Sequence, residues 1–139
     1  MSRVHTTRID VEFGDCDPAQ IVYFPNFFRW IDASGHRFFL ACGLPPWHET
    51  ERTHGIIGTP CVTIESKFIS PASYGDAIDI DTHIAQWRGK SFVLKHHIRC
   101  GKRPLVEASE VRIFARRVDG DRHRIQAVPV PPEWRALCE

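Results

Sequence analysis

Residues 25–42, PNFFRWIDASGHRFFLAC, constrain the fold more than any other stretch. Pro25 suits the first turn of a helix, Gly43 supplies a stop, and Pro45-Pro46 lies beyond it. Phe27, Phe28, Trp30, Ile31, Ala33, Phe38, Phe39, Leu40, Ala41 and Cys42 cover more than one face of that helix. Only Arg29, Asp32, His36 and Arg37 are charged or titratable. A helix that is apolar nearly all round is buried on most sides. The chain has 139 residues, the size of one ordinary domain (1–139), so the simplest way to bury such a helix is to wrap a sheet around it. Gly35 sits mid-helix, where it costs about 1 kcal/mol against Ala. Close approach of another backbone or a ligand is the expected reason for it.

The rest of the chain supplies that sheet. Residues 7–13 alternate, with Ile9, Val11 and Phe13 opposite Arg8, Asp10 and Glu12. Strand-like runs follow at 61–70 (Val62, Ile64, Phe68), 77–87 (Ile78, Ile80, Ile84), 91–100 (Phe92, Leu94, Ile98) and 105–116 (Val106, Val111, Ile113, Ala115). Gly-containing turns separate the last of these, and Asp119-Gly120-Asp121 predicts a hairpin into a short strand near 123–128. The Pro-rich tail reads as extended, packing back through Trp134. The order of strand, long helix, then strands joined by short turns predicts an α+β class: one central helix on a curved, five-stranded antiparallel sheet.

Composition excludes several functions. Eighteen basic against seventeen acidic residues leave +1, so no global field draws nucleic acid and an anion site must be local. No apolar run approaches a membrane span, and the first residues lack the apolar core of a secretory signal, so the expected compartment is the cytoplasm. Five scattered cysteines without a CxxC argue against a disulfide framework or zinc site, and no metal is expected. His96-His97 on a strand would point to opposite faces and could not chelate together.

The segment FGDCDPAQIVYFPNF (13–27) resembles the signature of the hotdog-fold thioesterases, and within them the 4-hydroxybenzoyl-CoA thioesterases of the Asp-nucleophile type. The likeness continues through RWIDA (29–33), CGLPPW (42–47), GTP (58–60), ASY (72–74) and WRGKSF (87–92), nearly the whole chain. It implies hydrolysis of an aryl-CoA thioester, 4-hydroxybenzoyl-CoA, to the acid and free coenzyme A. Asp17 then acts as nucleophile or general base. Its place before Pro18 agrees, because a residue preceding proline is biased to an extended conformation. A carboxylate can attack a thioester to give an anhydride, or deprotonate water; the residues do not separate the two. The oxyanion needs a backbone N–H at a helix start. Pro25 has none, so Tyr23 or Phe24 must donate, and the resemblance assigns Phe24.

The resemblance further implies that Asp32 meets the phenolic hydroxyl, that Trp47 and Thr59 line the ring, and that Arg88 and Lys90 grip the coenzyme A phosphates. Asp15 and His36 read as structural. Two departures stand out: Gly89 where close relatives carry another basic residue, and Gln20 where many have Gly. No cofactor is implied beyond coenzyme A as part of the substrate. One helix cannot be enclosed by five strands of one small subunit, so a homodimer with interfacial sites is expected, assembled into a homotetramer. Two alternatives stay open: a thioesterase for short aliphatic or other aromatic acyl-CoA, and a non-hydrolytic acyl-CoA binder.

Overall fold

The computed structural model describes residues 3–139; Met1 and Ser2, included in the expected 1–139 domain, lie outside the described residues. In chain order it contains β1 (Val4–Asp10), α1 (Pro25–Cys42), α2 (Trp47–His54), β2 (Ile56–Gly58), β3 (Cys61–Phe68), β4 (Ala77–Trp87), β5 (Ser91–Cys100), β6 (Arg103–Val118), β7 (Asp121–Val128) and α3 (Pro132–Leu137). The helix 25–42 has the expected bounds, with Pro25 in the first turn and Gly43 in the left-handed conformation at φ 100°. All strand pairs are antiparallel. Five strands form a continuous layer in the order β1-β4-β5-β6-β3, and the short β2 and β7 pair with the far end of β6, making seven in all. The five-stranded expectation describes the main layer, the strand expected near 123–128 is β7, hairpinned to β6, and only the short β2 has no counterpart in the sequence reading.

α1 lies across the inner face and divides the core. Its first half packs Phe27, Trp30 and Ile31 on Ile78, Ile80, Ile98 and Val106. Its second half packs Phe38 and Phe39 on Ile84, Phe92, Leu94 and Phe114. Between the two clusters runs a polar row, Thr82, His96 and Glu110, one residue from each of three adjacent strands and all fully buried. Gly35 passes above this region. A Cβ there would meet Leu94 Cδ2 at 3.1 Å, so the close neighbour within the chain is a side chain of the sheet and not a backbone.

Several expectations need correction. Phe13 is not on a buried strand face: it begins a 3-10 turn (Phe13–Asp15) and is 81% exposed. On β6 the alternation was misassigned. Ala108, Glu110, Arg112 and Phe114 face inward, whereas Val111 and Ile113 are only half-buried. Two charged residues can face in because they pair with each other and with buried partners, which offsets their desolvation. The tail is helical over Pro132–Leu137, although Trp134 is buried as expected. α2 was not foreseen; it is a short polar helix closed by Gly55 at φ 72° and tied down by the buried Thr50 hydroxyl, which donates to Ile56 O at 2.7 Å. The helix α1 buries one side only: Asp32, Arg37, Leu40 and Ala41 remain exposed in a single copy.

Candidate active site

The loop 11–24 is built around Asp15. Its Oδ2 accepts from Glu12 N at 2.8 Å, and its carbonyl accepts from Tyr23 N (2.9 Å) and Asn26 Nδ2 (2.8 Å). Asp15 therefore clamps the loop to the start of α1. Two residues on, Asp17 has one oxygen fixed: Oδ1 accepts from Ala19 N at 2.8 Å. Its Oδ2 has no hydrogen bond among the described residues. The turn closes through Gln20 N, which donates to Asp17 O at 2.8 Å, with Gln20 at φ 66°. This is the left-handed region that glycine occupies without strain, the physical sense of a Gly at this position. Asp17 lines a cavity of about 470 Å³ with Phe13, Cys16, Ser73 and Tyr74.

At the start of α1 the backbone donors can be counted. Tyr23 N donates to Asp15 O, Asn26 N to Tyr23 O (2.9 Å) and Phe27 N to Phe24 O (3.0 Å). Pro25 has no N–H. Phe24 N is left without an acceptor among the described residues, at the positive end of an 18-residue helix.

Asp32, Trp47 and Thr59 come together, but in a different cavity. It measures about 560 Å³, and His36, Cys61 and Arg112 line it with them. Trp47 packs on the His36 and Phe39 rings at 5.7 and 5.9 Å between centroids. It also lies against Gly58, whose φ of 151° favours glycine; a Cβ there would meet the indole at 3.7 Å, an ordinary contact. Asp32 is 75% exposed yet held: Arg112 Nη2 donates to its Oδ1 at 2.9 Å. In a single chain this cavity and the one beside Asp17 share no lining residue.

Arg112 is the hub. Its Nε donates to Glu110 Oε2 at 2.8 Å and its Nη1 to the Thr59 carbonyl at 2.5 Å. Glu110 Oε1 lies 2.6 Å from His96 Nε2, and His96 Nδ1 lies 2.8 Å from the Thr82 hydroxyl. Burial works against the Glu110 carboxylate, but hydrogen bonds from His96 and Arg112 win and hold it below the usual carboxylate range. Burial likewise opposes the Arg112 charge, and Glu110 with Asp32 more than compensates. Partial burial and the nearby Glu110 push the Cys61 thiol up to about 11.

Arg88 and Lys90 stand exposed on the tight β4–β5 turn, where Arg88 N donates to Ser91 O at 2.8 Å. Neither pairs with a carboxylate among the described residues. The turn is at the opposite end of β4 from Tyr74 and Asp17. Ten steps at about 3.3 Å put those ends roughly 33 Å apart in one chain. Sequence reasoning did not find Arg112, Glu110, His96 or Cys61 as neighbours of the Asp32 cavity. His36, read as structural, lines it too; its i, i+4 spacing from Asp32 on a helix was the available signal.

The chain matches the thioesterase-like superfamily over residues 11–137. It is 45% identical, over 143 aligned positions and 99% of both chains, to a 4-hydroxybenzoyl-CoA thioesterase from Pseudomonas sp. strain CBS-3. Its structure is similar to that of the D17N variant of a 4-hydroxybenzoyl-CoA thioesterase in complex with 4-hydroxybenzoyl-CoA, with a TM-score of 0.92, 41% identity and coverage of 99% and 100%. It is also similar to a gentisyl-coenzyme A thioesterase, with a TM-score of 0.80, 29% identity and coverage of 96% and 98%. Fold, motif and near-complete alignment agree, and the chain belongs to the thioesterase-like superfamily of hotdog fold.

Proposed function

We propose that this protein hydrolyses 4-hydroxybenzoyl-CoA to 4-hydroxybenzoate and coenzyme A, with residues 1–139 as one catalytic unit. The observations that carry this reading are two: among the described residues Asp17 has one carboxylate oxygen fixed and the other without a partner, and Phe24, seven residues on at the start of α1, has a backbone N–H without an acceptor. The free carboxylate oxygen attacks the thioester carbon. The carbonyl oxygen takes up the negative charge and leans on Phe24 N–H and the helix dipole. The C–S bond then breaks, the thiolate leaves and takes a proton, and water opens the acyl-aspartyl anhydride. In the other route Asp17 takes the proton of an attacking water, and the same N–H serves the same oxyanion. A thiolate leaves readily, so neither route calls for a metal or redox cofactor; coenzyme A enters as part of the substrate.

Asp32 receives the ring hydroxyl, Trp47 and Thr59 line the ring, and Arg88 and Lys90 hold phosphate. The separation of roughly 33 Å between the Asp17 end of β4 and the basic turn is further than an extended coenzyme A arm reaches. A second copy brings them together. β3 is its docking edge: among the described residues it pairs with β6 alone, and Val62, Ile64 and Phe68 are exposed along it. An edge strand with exposed apolar side chains is a template for another chain. The working unit is thus a homodimer with sites shared across it. The homotetramer is a pair of such dimers and is checked by sedimentation equilibrium. Among the described residues no helix is long and apolar enough to cross a membrane; a coenzyme A substrate supports a cytoplasmic location.

Thiol release from a panel of acyl-CoAs tests the reading. Asp17→Asn should lower kcat on 4-hydroxybenzoyl-CoA by about 10²–10⁴ with KM little changed. A near-normal rate in that variant would refute it. Binding without thiol release by the unaltered protein would favour the non-hydrolytic alternative, and faster turnover of aliphatic acyl-CoA would favour the other.

A further inference from the structure

We propose that Arg112 is the positioning residue that sets acyl specificity, and that the pocket it organises selects rings bearing a neutral hydrogen-bond donor opposite the thioester, amino as well as hydroxyl. This rests on the reading of Asp32 as the group that meets the far end of the ring.

Asp32 alone is a poor selector. It is a largely exposed side chain on a helix surface, free to spread over rotamers. Arg112 removes that freedom. Its guanidinium binds Asp32 Oδ1 on α1, the Thr59 carbonyl between β2 and β3, and Glu110 on β6. One rigid fork thus fixes two walls of the cavity, which suits the planar geometry of arginine and not that of lysine. Arg112 is itself buried, and Glu110 behind it is held by His96, whose other ring nitrogen meets Thr82. The polar row across the sheet is therefore an anchor for an acceptor at the surface.

The charges define what the acceptor takes. Nε, Nη1 and Nη2 of Arg112 all face protein acceptors, so the guanidinium is not offered to a substrate anion. Asp32 Oδ2 has no hydrogen bond among the described residues and is the free atom. Asp32 and Glu110 carry two negative charges against one on Arg112, with His96 neutral or singly positive. The cluster is never net positive. A neutral donor fits it, a methoxy group offers nothing to Oδ2, and a ring carboxylate is repelled.

The test is kcat/KM by thiol release for benzoyl-, 4-hydroxybenzoyl-, 4-aminobenzoyl-, 4-methoxybenzoyl- and 4-carboxybenzoyl-CoA. The unaltered protein should favour the hydroxyl and amino substrates over the other three by at least tenfold. Rejection of 4-aminobenzoyl-CoA, or acceptance of the methoxy or carboxy compound on equal terms, overturns the inference without any variant. Arg112→Lys should cut the preference for 4-hydroxybenzoyl- over benzoyl-CoA by at least tenfold, the kcat/KM on the 4-hydroxy substrate falling that much further than on benzoyl-CoA. A parallel fall on both substrates, or an unchanged preference, overturns it. The double variant Arg112→Gln with Glu110→Gln removes the buried pair together, leaves no lone buried charge, and must show the same collapse of preference. If the unaltered protein hydrolyses no aryl-CoA, the proposed function fails and this inference with it. If it hydrolyses them without preferring a donor, the inference fails alone.

Discussion

Replacing Phe24 by proline should disable hydrolysis while leaving the fold in place. Of the backbone groups at the start of α1, Tyr23, Asn26 and Phe27 donate to Asp15, Tyr23 and Phe24 carbonyls at 2.9, 2.9 and 3.0 Å, and Pro25 has nothing to donate. Among the described residues only Phe24 N–H there is uncommitted. Its φ of −55° already lies within the range a pyrrolidine ring enforces. Phe24→Pro thus deletes one donor at a conformation the new residue accepts. Losing one oxyanion donor lowers kcat by about 10²–10³, or about 2.7–4 kcal/mol of transition-state stabilisation. Phe24→Ala is the control, because it removes an exposed ring and keeps the N–H. The assay is release of free thiol from 4-hydroxybenzoyl-CoA, with thermal melts to verify folding. A folded Phe24→Pro protein within fivefold of the unaltered kcat would refute the assignment. So would an Ala variant as slow as the Pro variant, since that would move the effect to the side chain.

Subunit sharing makes a separate prediction. Asp17→Asn and the double variant Arg88→Ala with Lys90→Ala should each be impaired alone, whereas a hybrid dimer of the two should recover one intact site and about half the unaltered activity; no recovery would put both groups in one subunit. Stability should also depend on pH through Glu110. Its folded-state value is depressed, so its contribution is present at neutral pH and is lost as pH falls through that value, beginning below the ordinary 4.5. Urea unfolding of the unaltered protein against Glu110→Gln should show a gap of about 3–5 kcal/mol at pH 7 that narrows toward pH 3. A constant gap would mean that the carboxylate charge is not the source.

What could be read in the residues alone was whatever depends on neighbours in sequence. Pro25 and Gly43 bound α1 because first-turn proline and left-handed glycine are local preferences. Strands β4 and β5 were legible because Ile78, Ile80 and Ile84, and Phe92, Leu94 and Ile98, keep period two on a buried face. The opposite orientations of His96 and His97 followed from the same pleat, and His96 is buried while His97 is exposed. The loop around Asp17 was visible as a motif, in which a local asparagine-like turn and Pro18 shape the backbone. α2 and α3 escaped because helices of eight and six residues are not stable on propensity; Trp47 packs on His36 and Phe39 of α1, the Thr50 hydroxyl donates to Ile56 O, and Trp134 packs on His54 and Phe114, distant in sequence.

The inward turn of Glu110 and Arg112 could not be read locally. Hydrophobic alternation assigns Val111 and Ile113 to the core, and only partners on other elements reverse it: His96 from β5, Asp32 from α1, and the Thr59 carbonyl ahead of β3. A buried charge is tolerable when its counter-charge and hydrogen bonds arrive with it, and those arrive only when the sheet closes under the helix. The same holds for the two cavities. Sequence order places Asp17, Asp32 and Arg88 on one chain, but the fold puts Asp17 and Asp32 in separate cavities and the length of β4 sets Arg88 apart from Asp17. Distance in space, set by register and by packing between elements, is information that no local pattern of side chains contains.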